Sequence, residues 1–283
     1  MKDLAGRTAW ITGAASGIGL ALARRLAAEQ MQLVLVDVEA GPLAEAEAAL
    51  QGARVLAIRA DVGNGAEMAA AAARAQDTFG IVHVICSNAG VSGGGGPMWT
   101  IGEADWQWTI DVNLMGVVHA IRLLLPPLVA SGQEGHVVNT ASIAGLQVTP
   151  FMGPYTATKH AVVALSESLA KELELAKANV GVSVVCPGFV KTRIAQSDRN
   201  RPGGPHGAPA DPITEKFGAM LGQLVESGIT AEQVAEQIVA AIREPKFYVL
   251  THKEMMPAVE HRMRQILGEQ QPGIDPLFRK AFG

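Results

Sequence analysis

The sequence predicts an α/β protein: a doubly wound, seven-stranded parallel sheet with helices on both faces. Three observations predict it. Short β-branched runs alternate with longer Ala-, Leu- and Glu-rich stretches along the chain, the pattern of repeated βαβ units. Several short runs are apolar at every position, as in Leu33-Val34-Leu35-Val36, and strands buried on both faces belong to parallel sheets covered by helices. The first such run passes directly into a glycine-rich turn and a helical pattern.

The elements follow in order. The run 8–12 reads as the first strand, and the Ala/Leu-rich stretch 17–29 after the glycines as the first helix. Strands are then expected at 32–36, 54–60, 82–86, 136–140, 180–186 and 246–251, each a short β-branched run. Between them, helices are expected at 41–50, 65–79, 103–129, 155–176 and 230–243, with one more at about 254–267. The helix at 230 opens Thr-Ala-Glu-Gln, the form of a capping box. Two stretches break the alternation: the glycine run 92–97, and 200–212, rich in Pro and Gly without a period. Such loops are often mobile or functional. The chain reads as a single domain, 1–283. Its dinucleotide-binding half lies at about 5–140, and its catalytic and substrate half at about 141–253, with a lid at about 194–226. A C-terminal helix and tail occupy 254–283.

Composition narrows the function. Of 283 residues 48% are hydrophobic and 18% charged, with a net charge of −4. That balance suits a packed globular core and argues against a nucleic-acid surface, which needs clustered Lys and Arg. The longest apolar stretch, 117–130, is interrupted by His119, Arg122, Pro126 and Pro127 and is not expected to span a membrane. No secretory leader pattern opens the sequence. The two cysteines, Cys86 and Cys186, sit in apolar runs without metal-ligand spacing, so buried thiols in a reducing, cytoplasmic setting are expected and no metal is.

The turn Thr12-Gly13-Ala14-Ala15-Ser16-Gly17-Ile18-Gly19 joins a strand to a helix. Glycines let the backbone approach a pyrophosphate, and the helix N-terminus directs free N–H groups at the charge. The second strand then ends at Asp37, where a carboxylate can accept from the adenosine ribose hydroxyls. No Arg or Lys stands at Val38 or in the glycine turn to receive a 2′-phosphate. The cofactor reading is therefore NAD.

This spacing resembles the fingerprint of the short-chain dehydrogenase/reductase family, and further motifs of that family follow in order. They are Asp61-Val62, Ser87-Asn88-Ala89-Gly90, Asn113, then Ser142, Tyr155 and Lys159, then Pro187-Gly188 and Thr192. The resemblance covers about 5–195 strongly and the rest loosely. It implies a Rossmann-like fold and adenine contacts from Asp61 and Val62. It also implies a nicotinamide wall from Asn88, Ala89 and Gly90, and further cofactor contacts from Pro187, Gly188, Val190 and Thr192. Asn113 is implied to hold a proton relay. Position 87 departs from the family, which usually has Asn there. A dimer or tetramer is implied, built on the two long helices; the C-terminus departs from the pattern that completes the tetramer.

Tyr155 and Lys159 are four apart at the start of a helix and so share a face. A free tyrosine is a poor base near neutral pH. A neighbouring ammonium, aided by the oxidised nicotinamide, is expected to bring the phenol down. Tyr155 then exchanges a proton with the substrate oxygen, Ser142 hydrogen-bonds that oxygen, and Lys159 holds the nicotinamide ribose. The expected small-molecule substrate is a hydrophobic or aromatic secondary alcohol, or its ketone. It would be met by Trp99, Val148, Phe151, Met152 and Phe189, with Leu146 nearby. Trp106 and Trp108 read as packing residues, and His119, His136 and His160 as structural. A non-catalytic dinucleotide-binding regulator on the same fold is the alternative, and the intact Ser142, Tyr155 and Lys159 argue against it. A lyase or epimerase holding NAD is a third, and such relatives usually carry a larger C-terminal substrate domain.

Overall fold

A computed structural model describes residues 1–204 and 212–274. The expected loop 200–212 and the C-terminal tail therefore lie partly outside the described residues. Seven parallel strands form one sheet in the order β3-β2-β1-β4-β5-β6-β7. They are β1 Thr8–Thr12, β2 Gln32–Asp37, β3 Val55–Arg59, β4 Val84–Ser87, β5 Gly135–Thr140, β6 Val180–Cys186 and β7 Tyr248–Leu250. The helices are α1 Gly17–Ala28, α2 Ala40–Ala48, α3 Gly65–Phe79, α4 Glu103–Ile110, α5 Gly116–Ser131, α6 Gly153–Leu175, α7 Pro212–Ser227, α8 Ala231–Arg243 and α9 Met256–Leu267.

Strand alternation divides the core into two layers. Ala9, Ile11, Leu33 and Leu35 pack under α1, α2 and α8 with Leu22, Leu26, Leu43 and Ile238. Trp10, Val34 and Val36 face the other way, onto α3, α5 and α6 with Met68, Leu124, Leu128 and Leu169. Successive side chains of a strand point to opposite faces, so apolar residues at every position are the requirement of a sheet covered twice. The capping box at Thr230 forms, with Thr230 and Gln233 each accepting the other's backbone N–H.

Three differences from the sequence reading bear on the site. The stretch 103–129 is not one regular helix: Asp111–Met115 between α4 and α5 is a π-helical turn, a local widening that often marks functional positions. The segment 212–227 is helical, although Gly218 and Gly222 weaken its pattern; Phe217 and Val225 anchor it in buried positions. The run Glu103–Ser131, which contains the interrupted apolar stretch, is long and apolar enough by length and composition to cross a membrane. In this fold Val117, Ala120, Leu124 and Leu128 from that run are buried in the sheet-facing layers.

Candidate active site

The strand order reverses between β1 and β4, and ligands of doubly wound sheets bind at that switch point, beyond the C-terminal strand ends. A continuous cleft runs there. Its floor is tied together by Asn88, whose amide nitrogen donates to Thr12 O at 3.1 Å while its backbone N–H donates to Thr12 Oγ1 at 2.9 Å.

At one end lies the glycine turn. Gly13 has φ +65°, and a Cβ there would stand 2.9 Å from Ala89 Cα; a Cβ on Gly19 would strike the Gly13 carbonyl. The turn therefore admits no side chain at either position, which leaves its backbone bare toward the cleft. The N-cap residue Ser16 makes no capping hydrogen bond, so the first-turn amides of α1 receive no acceptor from it. Bare backbone and open donors at a helix N-terminus fit a pyrophosphate.

Asp37 closes β2 beside this turn and is buried. Its Oδ2 accepts from Ala15 N at 2.9 Å and its Oδ1 from Glu39 N at 3.0 Å. Burial pushes its pKa up, and the amides of Glu39 and Ala15 pull it back down. Each oxygen keeps a further lone pair for a hydroxyl donor.

The other end of the cleft holds Ser142, Tyr155 and Lys159. Tyr155 lies in the first turn of α6, which begins two residues earlier than expected because Pro154 sits at its start. Lys159, one turn on, is buried and donates to Thr140 O at 3.0 Å. Its Nζ stands 5.6 Å from the centre of the Tyr155 ring. Burial lowers Lys159 to about 8. Burial raises the Tyr155 pKa, and a hydrogen bond from Ser142 only partly opposes this. Tyr155 is half-buried on the cleft wall, and desolvation of its phenol disfavours the anion more than Ser142 favours it. Ser142 Oγ accepts from Ala144 N at 3.1 Å, and its single hydrogen has Pro187 O, 3.3 Å away, as the alternative acceptor to Tyr155.

Asn113 stands behind the wall, in the π turn. Its Oδ1 accepts from Val91 N at 2.8 Å, and its Nδ2 donates to Val91 O at 2.9 Å and Thr158 Oγ1 at 3.3 Å. A Cβ on Gly90 would lie 3.3 Å from Asn113 Oδ1 and 3.4 Å from Lys159 Nζ, so these two groups flank one glycine.

The other expected cofactor positions also line the cleft, apart from Gly19: Ser16, Gly17 and Ile18 from the turn, Val38, Asp61 and Val62, Ala89, and Gly188, Val190 and Thr192. The expected substrate positions do not. Trp99 is 88% exposed and Val148 63% exposed, which directs both to solvent. Phe151, Met152 and Phe189 are half-buried outside the cleft lining, with the Phe151 ring 5.5 Å from Phe217. Trp108, read as packing, is buried in the core and also lines the cleft, beside Val91, Ile194 and Val225. The three histidines bond Val62 O, Ser183 Oγ and Thr156 O. Both cysteines are free and buried, and burial pushes each thiol up to about 12.

The expected lid at about 194–226 begins with a roof over the cleft, although the sequence reading marks none of its individual residues as cleft-lining. A 3-10 segment, Ile194–Asn200, borders the cleft through Ile194, Ser197, Arg199 and Asn200. Ser197 Oγ accepts from Ser92 N at 2.9 Å, which ties the roof to the glycine loop. Arg201 pairs with Asp105 and Asp198 and lies 4.6 Å over the Trp108 ring. The signal was thin: basic residues following Thr192 in a stretch without a period.

Comparison with known proteins agrees with this geometry. A family model described as short chain dehydrogenase matches residues 7–203. A "CLA biosynthesis dehydrogenase/reductase" of Lactiplantibacillus plantarum is 32% identical over 97% of this chain and 98% of its own. A "C alpha-dehydrogenase" of a Sphingobium species is 31% identical over 96% and 89%. A solved short chain dehydrogenase/reductase from Burkholderia phymatum, in complex with NAD, is 41% identical with a TM-score of 0.94 over 97% of this chain and 99% of its own. Likeness of this extent, on a sheet whose cleft gathers the glycine turn and the Ser142, Tyr155 and Lys159 side chains, means that the chain belongs to the short-chain dehydrogenase/reductase family of oxidoreductases.

Proposed function

We propose that the protein transfers a hydride between NAD and a hydrophobic or aromatic secondary alcohol or its ketone. The observation that carries this reading is one continuous cleft with Asp37 and the glycine turn at one end and Ser142, Tyr155 and Lys159 at the other. Asp37 holds the adenosine ribose, the amides at the start of α1 hold the pyrophosphate, and Asn88, Ala89, Gly90, Pro187, Gly188, Val190 and Thr192 flank the nicotinamide. The Burkholderia relative was solved with NAD, which supports the same cofactor here.

When bound, NAD would supply the acceptor for the hydride released from the carbinol carbon. The protein manages the proton. Tyr155 Oη takes the hydroxyl proton in oxidation and returns it in reduction. Ser142 already accepts from Ala144 N, so its hydrogen is free to turn from Pro187 O to the substrate oxygen where charge develops. Lys159 holds the ribose and favours the phenolate; bound oxidised nicotinamide adds a second positive charge against the burial that raises Tyr155. Asn113 ties the π turn to the loop at Val91, beside Lys159, the place for a proton relay to solvent.

Val91, Trp108, Ile194 and Val225 give the cleft apolar walls. A polyol would leave hydroxyls unpaired against them, at about 1–3 kcal/mol each. The functional unit is one domain, with the cofactor half at about 5–140, the catalytic half at about 141–253 and a lid at about 194–226 whose described core is the Ile194–Asn200 roof. We read the assembly as a homodimer or homotetramer and the compartment as the cytoplasm, in keeping with two free buried thiols. The test is a panel of aryl, alkyl and polyol alcohols with NAD and NADP, followed by the absorbance of the reduced nicotinamide. Faster turnover of aryl or alkyl alcohols with NAD is expected; preferred turnover of polyols, or of NADP, overturns the reading.

A further inference from the structure

The adenosine end of the cleft holds more charge than ribose binding needs. Glu39 follows Asp37 by two residues and receives Arg199 in a two-pronged pair, Nε to Oε1 at 3.0 Å and Nη2 to Oε2 at 2.7 Å. Asn200 also hydrogen-bonds Glu39, and Arg193 Nη2 stands 4.0 Å from its Oε1. These contacts hold the Glu39 carboxyl below the usual range, the Arg199 hydrogen bond foremost. Asp37, Glu39, Arg193 and Arg199 all line the same cleft.

Arg199 is delivered to this place without help from Glu39. Its Nη1 donates to Arg193 O at 3.2 Å and Gln196 O at 3.0 Å, inside its own turn. That turn is fixed by Ser197 on Ser92 and by Arg201 on Asp105 and Trp108. The Nε and Nη2 edge is thus presented ready-made to a two-oxygen acceptor. A planar guanidinium fork accepts a phosphate as readily as a carboxylate. Another guanidinium at this end, Arg59, bonds Val38 O at 3.4 Å and is not among the cleft-lining residues.

We infer that Arg199 is a masked receptor for a ribose 2′-phosphate, that Glu39 is its mask, and that this pair acts with Asp37 to set cofactor choice. The inference rests on the NAD reading above. Removing Asp37 alone leaves Arg199 tied to Glu39. Removing Glu39 alone frees Arg199 but leaves Asp37 facing the phosphate. Only the double change presents a free fork to an uncontested site, so the two substitutions act more than additively.

Calorimetric binding of 5′-AMP and adenosine 2′,5′-bisphosphate, which differ only in the 2′-phosphate, measures this without catalysis. Wild type is expected to bind NAD and to favour 5′-AMP. Asp37→Ala and Glu39→Gln should each shift the ratio toward the bisphosphate by less than about tenfold, and the double variant by about a hundredfold or more. Adding Arg199→Ala should erase the gain, and adding Arg59→Ala should keep it. The ratio of kcat/KM for NADP and NAD should move in parallel. If Asp37→Ala alone equals the double variant, Glu39 is no mask and the inference fails. It fails also if Arg199→Ala leaves the gain, or weakens both nucleotides equally as an adenine-packing residue would. A wild type that binds neither NAD nor 5′-AMP overturns the dinucleotide reading itself.

Discussion

Lys159→Met replaces a buried ammonium by an apolar chain of similar length, and its effect on stability can be worked from the structure. Burial lowers the folded-state pKa from 10.5 to about 8. Between those values the unfolded chain binds a proton that the folded protein has released. Stability rises with pH wherever the unfolded state binds more protons, so wild type gains on the variant through this window. A tenfold change in a proton-binding constant is worth about 1.4 kcal/mol, which gives a total gain of about 3 kcal/mol. Below about pH 8 the full penalty of the buried charge is present; above about 10.5 it is gone. Cys86, raised by burial alone, lowers alkaline stability equally in both proteins and subtracts out. Cys186 and Tyr155 are also raised, and loss of the neighbouring Lys159 charge raises them further in the variant, which adds to the rise of wild type over variant. The lost hydrogen bond to Thr140 O offsets the curve without tilting it. The assay is urea unfolding of both proteins at a series of values from about pH 7 to about pH 10, plotted as the stability difference. A difference that is flat to about pH 8 and then rises in favour of wild type is expected. A difference that stays flat throughout, or falls, refutes the claim that Lys159 is a desolvated ammonium.

Two further substitutions probe the scaffold. Gly19→Ala places a Cβ against the Gly13 carbonyl and 2.7 Å from Asn88 Nδ2; thermal melting should show a loss of about 1–3 kcal/mol, with NAD affinity falling at least about tenfold. Asn113→Leu strips partners from both Val91 N and Val91 O, each worth about 1–3 kcal/mol when left buried and unpaired; denaturant unfolding should register a loss of at least about 2 kcal/mol, and an unchanged midpoint would remove Asn113 from its structural role.

The chemistry-bearing end was legible because its signals are local. Tyr155 and Lys159 are one helical turn apart, and the glycine turn, Asp37 and the ends of successive strands follow from βα alternation alone. A parallel sheet covered on both faces follows from that alternation and the apolar doubling of strands such as Leu33–Val36, whereas the strand order does not. What failed depends on contacts far apart in sequence. Glu39 and Arg199 are separated by 160 residues, so neither announces the other. Trp99 and Val148 are apolar and precede catalytic positions in the sequence, yet the backbone turns both to solvent. A spacing reveals the charge beside Tyr155 but not the burial around it, which raises its pKa. The helix α7 was hidden by two glycines that tertiary contacts through Phe217 and Val225 override.

Proton transfer at Tyr155 is the point on which the enzymatic reading turns. Tyr155→Phe keeps the ring and removes only the oxygen, so cofactor affinity serves as the internal control. Oxidation of an aryl secondary alcohol, followed by the absorbance of reduced nicotinamide at saturating NAD, should fall by at least about 10²–10⁴-fold while the Kd for NAD stays within about threefold of wild type. Near-normal turnover by the variant with NAD bound would contradict the account.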